Sequence, residues 1–556
     1  MIDSLRKRFK TPSLKKDAVA GLVLGVESIP DGLAQGLVAG VNPIYGLYGY
    51  LYGMVGAAFV TSSIYMTVQA TGAMSLVVAD VSIVQNGEDA DRALFTLAIM
   101  TGVVMIAAGL LKGGVILRFV SNAVMVGFMT AVGINIILGQ LDNFTGYEAE
   151  GAGRLGKTFD LLLHPFQMDL RTVIVGVTTI LLMLLLERTR LGALGMVVAV
   201  IAGSAMVVLF SWDVQQLRDV TAIPSGLPLP AVPLLSAIPE LIIPAVSLAF
   251  VGLVQGAGIT ASYPNPDGEY GEPSRDFIGQ GIGNVVSGIF RGMPVGGSAS
   301  ATGLVKEAGM ASSVAQLTAG LVMAITIIFF ATGVSYIAMP ALAALLMVVG
   351  FRTIKPADIV AVWKTGRIQQ VVMASTLILT ILIPLQYAVL VGVALSMIMH
   401  IINTSSNVVV KRLVLADGEA HEVDVPDVVP AREVVALQLY GSIFFASAAT
   451  FASLLPDVEP SSRGSAVILR LRGKTDLGST FTDLLGRYAQ ELEDVDSQLF
   501  IMSVEPVVLD QLVVAGVVDT VGSDYIYPAD DWLGREFKST INDAQQWVDA
   551  HAQDGA

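Results

Sequence analysis

The sequence predicts an α-helical polytopic membrane protein with a small α/β domain behind it, and three observations carry that expectation. Of 556 residues, 54% are hydrophobic and only 14% are charged, a balance that does not suit a soluble chain of this length. Apolar runs long enough to cross a bilayer as helices recur from residue 17 to residue 404. After residue 403 they give way to short strand-like runs and amphipathic helical patterns.

The first 16 residues carry Arg6, Lys7, Arg8, Lys10, Lys15 and Lys16 and read as a cytoplasmic segment. The apolar segment after them is too long and too polar at its centre for a cleavable signal, so the first span is expected to remain. A transmembrane unit over 17–404 offers spans near 17–36, 44–61, 70–85, 92–111, 117–139, 171–187, 191–211, 239–260, 277–291, 299–314, 315–334, 336–351, 369–386 and 387–404. That is about fourteen, several of them short for the roughly 20 residues a crossing takes. Half-helices that stop at the midplane, sheltered by protein, account for short segments such as 70–85 and 299–314.

Lys112 and Arg118, Arg188 and Arg190, and Arg352, Lys355, Lys364 and Arg367 fall in loops on the side of the basic N-terminal segment. Both termini are therefore expected in the cytoplasm, with the protein in the cell membrane. The opposite side holds the acidic stretch Asn86-Gly87-Glu88-Asp89-Ala90-Asp91. Residues 405–432 read as a linker, clearest from Asp417 to Pro430, and 433–556 as the α/β domain. Strands are expected at 434–439, 466–471 and 498–504, and helices at 480–493 and 508–517. From Lys411 onward there are 24 acidic against 10 basic residues, so almost all of the formal net charge of −15 belongs to this domain. Such acidity describes a solvated surface and excludes nothing about what crosses the membrane; no nucleic-acid partner is expected.

The chain has no cysteine, which removes disulfides, thiolate metal ligands and cysteine nucleophiles. Four scattered histidines, His164, His400, His421 and His551, leave no metal site expected. There is no Walker A, Rossmann, zinc or catalytic-triad pattern, so the protein is expected not to be an enzyme and to need no cofactor beyond a coupled H⁺ or Na⁺. The chemistry-bearing signal lies in two openings, Thr71-Gly72-Ala73-Met74-Ser75 and Gly297-Ser298-Ala299-Ser300-Ala301-Thr302. Each is rich in glycine and hydroxyls, opens an apolar segment, and can present unpaired backbone N–H groups to an anion. The alternative, small residues that only let helices pack closely, is the reading for Gly36, Gly56 and Gly203.

Carboxylates occur in the first span at Glu27 and Asp31, spaced i,i+4 across Pro30 and on one face if the helix continues. A carboxylate near the bilayer centre is costly, which makes both candidates for coupling or gating; the alternative is that they are protonated or satisfied by backbone freed at Pro30. Asp80 is expected at the far end of the third span, and Lys306-Glu307 at the interface as a snorkelling pair.

Further fragments carry a resemblance: Asp17-Ala18-Val19-Ala20-Gly21 leading to Ile29-Pro30-Asp31-Gly32-Leu33-Ala34, Asn42-Pro43-Ile44-Tyr45-Gly46-Leu47-Tyr48, Gly127-Phe128-Met129 through Gly133-Ile134, Ile278-Gly279-Gln280-Gly281-Ile282-Gly283-Asn284, and Met293-Pro294-Val295-Gly296-Gly297-Ser298. In this order, with the α/β tail, the chain resembles the sulfate permease (SulP) anion transporters with a C-terminal STAS domain, relatives of the animal carriers that exchange chloride, bicarbonate and sulfate.

The resemblance implies a seven-plus-seven inverted repeat, a core of helices 1–4 and 8–11 moving against a gate of helices 5–7 and 12–14, and a homodimer. It implies a substrate anion between the N-termini of half-helices 3 and 10. Carried onto this chain, the substrate contacts are Gln69, Thr71, Gly72, Ala73, Gly297, Ser298, Ala299, Ser300 and Thr302, with Gln255 from the eighth span. Asp31 matches where the family's first helix faces the substrate. Two positions depart from the pattern: Gln255 stands where many members carry an acid, and Ala301 where many carry an arginine. In the tail, 474–480 matches a loop that is phosphorylated in bacterial STAS relatives, but Gly478 replaces the usual acid, and Ser479 or Thr480 is expected as a plain helix N-cap. The expected function is secondary active, elevator-type transport or symport of a small inorganic anion such as sulfate or bicarbonate. Dicarboxylate transport or chloride/anion exchange are alternatives within the family; nucleobase transport on the same fold, or an anion channel, lie outside it.

Overall fold

The computed structural model describes residues 8–9, 13–113, 121–189, 191–192, 194–221, 223–416, 419–530 and 535–553. Arg6, Lys7, Lys10, Arg118, Arg190 and Asp417 lie outside the described residues. The chain divides into two compact units, Met1–Ser396 and Met397–Ala556.

In the first unit, helix α1 (Leu14–Val38) begins where the Ser13 hydroxyl accepts the Lys16 N–H, and it runs through Pro30 without ending. Glu27 and Asp31 therefore share one helix. Helix α2 opens at Pro43–Tyr48, passes through a π-helical turn at Gly49–Gly53 and continues as Met54–Ala58. Strand β1 (Thr67–Gln69) leads into the short helix α3 (Gly72–Ala79). Then come α4 (Ala90–Leu110), α5 (Asn122–Gly139), α6 (Gly153–Leu163), α7 (Leu170–Glu187) and α8 (Leu194–Leu209). The second half comprises α9 (Ile238–Ser262), α10 (Pro273–Ile289), strand β2 (Gly296–Ser298), the short helix α11 (Ala299–Glu307), α12 (Val314–Phe329), α13 (Met339–Thr353), α14 (Arg367–Leu382) and α15 (Leu385–Ser406).

Each half thus contains a strand followed by a short helix. The two strands pair antiparallel, Thr67 opposite Ser298 and Gln69 opposite Gly296. At 1.5 Å per residue, α3 and α11 are only about 12–14 Å long, less than half the hydrocarbon thickness. The expected spans are unequal for physical reasons. Among the described residues five helices are long and apolar enough to cross a bilayer, and three apolar helices are shorter. The span expected at 70–85 is α3 followed by a one-turn helix at Ser82–Asn86, and the one at 299–314 stops at Glu307.

Two packing groups emerge. Helices α4, α9 and α10 pack together, as do α1 with α12 and α1 with α2; α5 packs on α13 and α14, and α7 on α8 and α13. Backbone contact sets the tightest approaches. A Cβ at Gly102 of α4 would stand 2.5 Å from the Gly281 carbonyl of α10, and one at Gly281 would stand 2.6 Å from the Gly102 carbonyl. Gly36, Gly56 and Gly203 also face close neighbours, Pro43, Val286 and Thr179.

The second unit is a six-stranded sheet of order β4-β3-β5-β6-β7-β8, built from β3 (Val409–Ala416), β4 (Glu419–Val423), β5 (Val434–Tyr440), β6 (Ala466–Arg470), β7 (Gln498–Val504) and β8 (Ile526–Pro528). Strands β5 to β8 run parallel, and β3 pairs antiparallel with both β4 and β5. Residues expected within the 405–432 linker therefore supply two of the six strands. Strand β6 is buried on both faces: Val467 and Leu469 join the core beneath α16 (Phe445–Ala452) and α17 (Gly478–Glu493), while Ala466 and Ile468 meet Phe537, Ala544 and Val548 of the C-terminal helix α18 (Arg535–Gln553). That double burial is why the strand reads as an unbroken apolar run. Helix α17 starts at Gly478, a left-handed glycine with φ of 68°, and its first turn is held by the Gly478 N–H to Asp476 and by the Gln511 carboxamide accepting the Leu477 N–H. Ser479 and Thr480 lie inside that turn, so neither is the N-cap expected of it.

Candidate functional site

The pairing of β1 with β2 brings the starts of α3 and α11 to one place. Thr71 caps α3, its hydroxyl oxygen accepting the Met74 N–H, and its carbonyl takes the Ser75 N–H. Ser298 caps α11 in the same way, accepting the Ala301 N–H. Each cap satisfies one of the first-turn donors that a helix leaves unpaired. The leading N–H groups of Gly72 and Ala73, and of Ala299 and Ser300, precede the first helical bonds and have no partner among the described residues; Ala73 is itself buried.

Helix α9 stands between the two openings. The Thr71 hydroxyl donates to the Gln255 carboxamide oxygen at 3.0 Å, and one turn of the same helix presses on β2, where a Cβ at Gly297 would lie 3.0 Å from the Gly256 Cα. Gln255 also borders an apolar cleft between α9, α5 and α14, with Phe250, Val124, Phe128, Met129 and Thr376 among its walls. Ala299 and Ser300 are exposed, as is Gly258 one turn beyond Gln255.

Three candidates are engaged in the scaffold. The Gly297 N–H is held by the Gln280 side chain at 3.0 Å. The Thr302 hydroxyl accepts the Thr67 N–H and donates to the Ser298 carbonyl at 2.6 Å, fully buried. Gln69 turns its amide to the Ser28 hydroxyl at 2.7 Å, and its buried carbonyl oxygen has no partner among the described residues. Thr71, Gly72, Ala73, Gln255, Ser298, Ala299 and Ser300 are left around the opening.

Side chains of α10 act as a further strand would. Asn284 accepts the Val295 N–H at 2.8 Å and donates to the Val295 carbonyl at 2.5 Å, and Gln280, one turn earlier, takes the Gly297 N–H. Just before β1, Gln316 of α12 donates to the Met66 carbonyl at 2.7 Å. The sequence does not mark these polar residues of apolar helices as site residues; their signal is their cost in a membrane and the i,i+4 spacing of Gln280 and Asn284.

The first-helix carboxylates adjoin α3. Asp31 accepts from the Tyr50 hydroxyl at 2.6 Å and from the Gln35 amide at 3.4 Å; Tyr50 also lies 3.0 Å from the Ala70 carbonyl, and Gln35 accepts the Ser75 hydroxyl at 3.0 Å. Asp31 is thus linked through single side chains to both flanks of the α3 opening, rather than to backbone at Pro30. One carboxylate oxygen of Glu27 is buried with no partner among the described residues. No three acidic or histidine groups there converge as metal ligands. The carboxylates of Asp17 and Asp276 are structural: Asp17 takes the Ala311 and Ser312 N–H groups and the Ser312 hydroxyl, and Asp276 takes Ser62, Ser63 and Thr260. The Lys306 ammonium stands 5.1 Å from the centre of the Tyr263 ring at the end of α9.

Residues 14–376 match the sulfate permease family, and residues 425–539 match the STAS domain. The chain belongs to the sulfate permease family. It is a multi-pass anion transporter carrying a STAS domain, and not an enzyme. This permease is 26% identical over 525 residues to a probable sulfate transporter of Mycobacterium tuberculosis, covering 92% of this chain and 93% of that one. It is also 26% identical over 400 residues to the bicarbonate transporter BicA of Picosynechococcus, covering 70% of each. Its fold is similar to that of the murine Solute Carrier 26 family member A9 anion transporter in the inward-facing state, with a TM-score of 0.84 at 19% identity, over 98% of this chain and 93% of that one.

Proposed function

We propose that this permease is a secondary active carrier of a small inorganic oxyanion of the sulfate or bicarbonate class, bound between the N-termini of α3 and α11. One observation carries the reading: two capped half-helices, one from each half of the chain, start side by side across the β1–β2 ladder with two leading N–H groups each left over. A helix N-terminus is equivalent to about half a positive charge, so two supply about one. That balances a monoanion; a dianion stays half compensated unless a cation travels with it, because Ala301 leaves the opening without a fixed cation.

The relatives named as sulfate and bicarbonate transporters support this substrate class. The movement is of the elevator type, with the group around α1, α4, α9, α10 and α12 carrying the site past the group around α5, α7, α13 and α14. The apolar cleft bordering Gln255 is the surface along which they slide. The exposed Ala299, Ser300 and Gly258 fit a site open toward the cytoplasm, where both termini lie, and the working unit is a homodimer. Glu27, with its unpartnered oxygen, is the favoured site for a coupled proton or Na⁺, and Asp31 relays its state to α3 through Tyr50 and Gln35.

The test is uptake of labelled sulfate, bicarbonate and uracil into proteoliposomes of the full chain. Saturable uptake of either oxyanion, and none of uracil, is expected. Uracil uptake without either anion overturns the substrate class.

A further inference from the structure

Asp80 ends α3. It occupies the C-cap position, its backbone N–H closing onto Val77 and Val78. A negative charge there opposes the partial negative charge of the helix end, so the placement is unfavourable unless something outside the helix offsets it. Two groups do, from helices that pack against α5 and α14. Arg154, at the start of α6, donates to one carboxylate oxygen at 3.1 Å, and the backbone N–H of Leu385, at the start of α15, donates to the other at 2.8 Å. The pair is only partly open to solvent, with side chains 24% and 16% exposed for Arg154 and Asp80. Arg154 lies over Gly139 at the end of α5, and α15 packs beside Val124 of α5 and Thr376 of α14. Next to this cluster the buried Ser247 hydroxyl of α9 donates to the Gln386 carbonyl at 2.6 Å.

We propose that Asp80 is the latch that holds the outer mouth closed, and that both of its bonds break and re-form in each transport cycle. This rests on the elevator movement proposed for the two packing groups. The same short helix carries the candidate anion site at one end and the latch at the other, about 12 Å apart at 1.5 Å per residue. Displacing α3 relative to α6 and α15 separates the carboxylate from both donors at once. In the open arrangement water must solvate it against the helix dipole, so the latch biases the resting protein toward the closed outer mouth.

The natural absence of cysteine makes thiol labelling of the full chain clean. Two reporters are placed singly: Ser247→Cys, at a fully buried position inside the closure, and Gly258→Cys, at an exposed position with open space around its Cβ. In oriented vesicles a membrane-impermeant maleimide should label Ser247→Cys slowly from outside and Gly258→Cys readily from the cytoplasmic side. Asp80→Asn and, separately, Arg154→Gln should speed the outer reaction about tenfold and slow the inner one, as expected for a shifted two-state equilibrium. The swap of Asp80→Arg with Arg154→Asp should bring both rates back toward the parent.

Parental rates in Asp80→Asn or Arg154→Gln, in protein with unchanged thermal unfolding, overturn the latch. So does an outer rate that rises while the inner rate stays fixed, since that is local loosening. If Asp80→Asn does not fold, Arg154→Gln decides alone. Labelling needs no substrate, so a failure of sulfate or bicarbonate uptake sinks the substrate reading and leaves this result standing.

Discussion

Thr71 and Ser298 each commit a hydroxyl oxygen to their own helix and leave the next two N–H groups outside that bond. Bulk placed at such a residue tests the site only where it meets the opening rather than the scaffold. Gly297 fails that condition, because any side chain there collides with α9 before it reaches a ligand. Ser300 meets it, being exposed in the first turn of α11 with its hydroxyl 3.2 Å from that of Ser298. Ser300→Leu should lower oxyanion uptake by tenfold or more, on the order of 1.4 kcal/mol of lost binding, with unchanged thermal unfolding and membrane insertion. Wild-type uptake in that variant would place the site elsewhere. Gln255→Leu should have a milder effect, raising KM while leaving the maximal rate near normal, because it frees the Thr71 hydroxyl without removing a backbone donor.

At the scale of elements, a two-strand ladder of three residues each is too small to hold two helix ends in register alone. Asn284, Gln280, Gln316 and Thr302 complete it, each pairing a backbone group of the extended segments that would otherwise be buried and unpaired. Asn284→Leu should therefore destabilise the protein by about 1–3 kcal/mol for each Val295 group left unsatisfied. The check is thermal unfolding in detergent, alongside Ser287→Ala, which removes a single bond to Met293; equal melting of the two variants would show that the clamp is dispensable. Loss of uptake should accompany the loss of register, since β2 aims α11.

For the whole molecule, the boundary of the second unit decides how a truncation behaves. Cutting at 434 removes the partner of β3 and leaves the β3–β4 hairpin with an open edge, which invites aggregation. Deletion of 408–556 removes the entire sheet. It should express better than deletion of 434–556, retain some uptake and dissociate more readily on size-exclusion chromatography; complete loss of uptake in a folded, inserted protein would mean that the STAS domain is part of the transport cycle. Coupling is also a property of the whole. Under an imposed pH or Na⁺ gradient, wild-type proteoliposomes should accumulate the anion, whereas Glu27→Gln and Asp31→Asn should show only downhill flux or exchange. If neither gradient stimulates the wild type, the first-helix carboxylates serve structure and the protein is an exchanger.

Composition and periodicity alone made the membrane class and the α/β tail legible, because burial in lipid or in a sheet core leaves unbroken apolar runs such as 466–469. Local chemistry also marked the two hydroxyl-rich openings, since capping and helix starts depend on neighbours in sequence. Tertiary structure decided the rest. Strand pairing joined residues 67–69 to 296–298, over two hundred positions apart, and tied the Gly297 N–H and the Thr302 hydroxyl into the scaffold. It paired Asp80 with Arg154 and Leu385, and it made sheet out of 409–416 and 419–423, where a charged, turn-rich stretch reads as linker. Hydrogen-bond partners distant in sequence leave no periodic trace, so only the folded chain shows which polar groups remain free for a ligand.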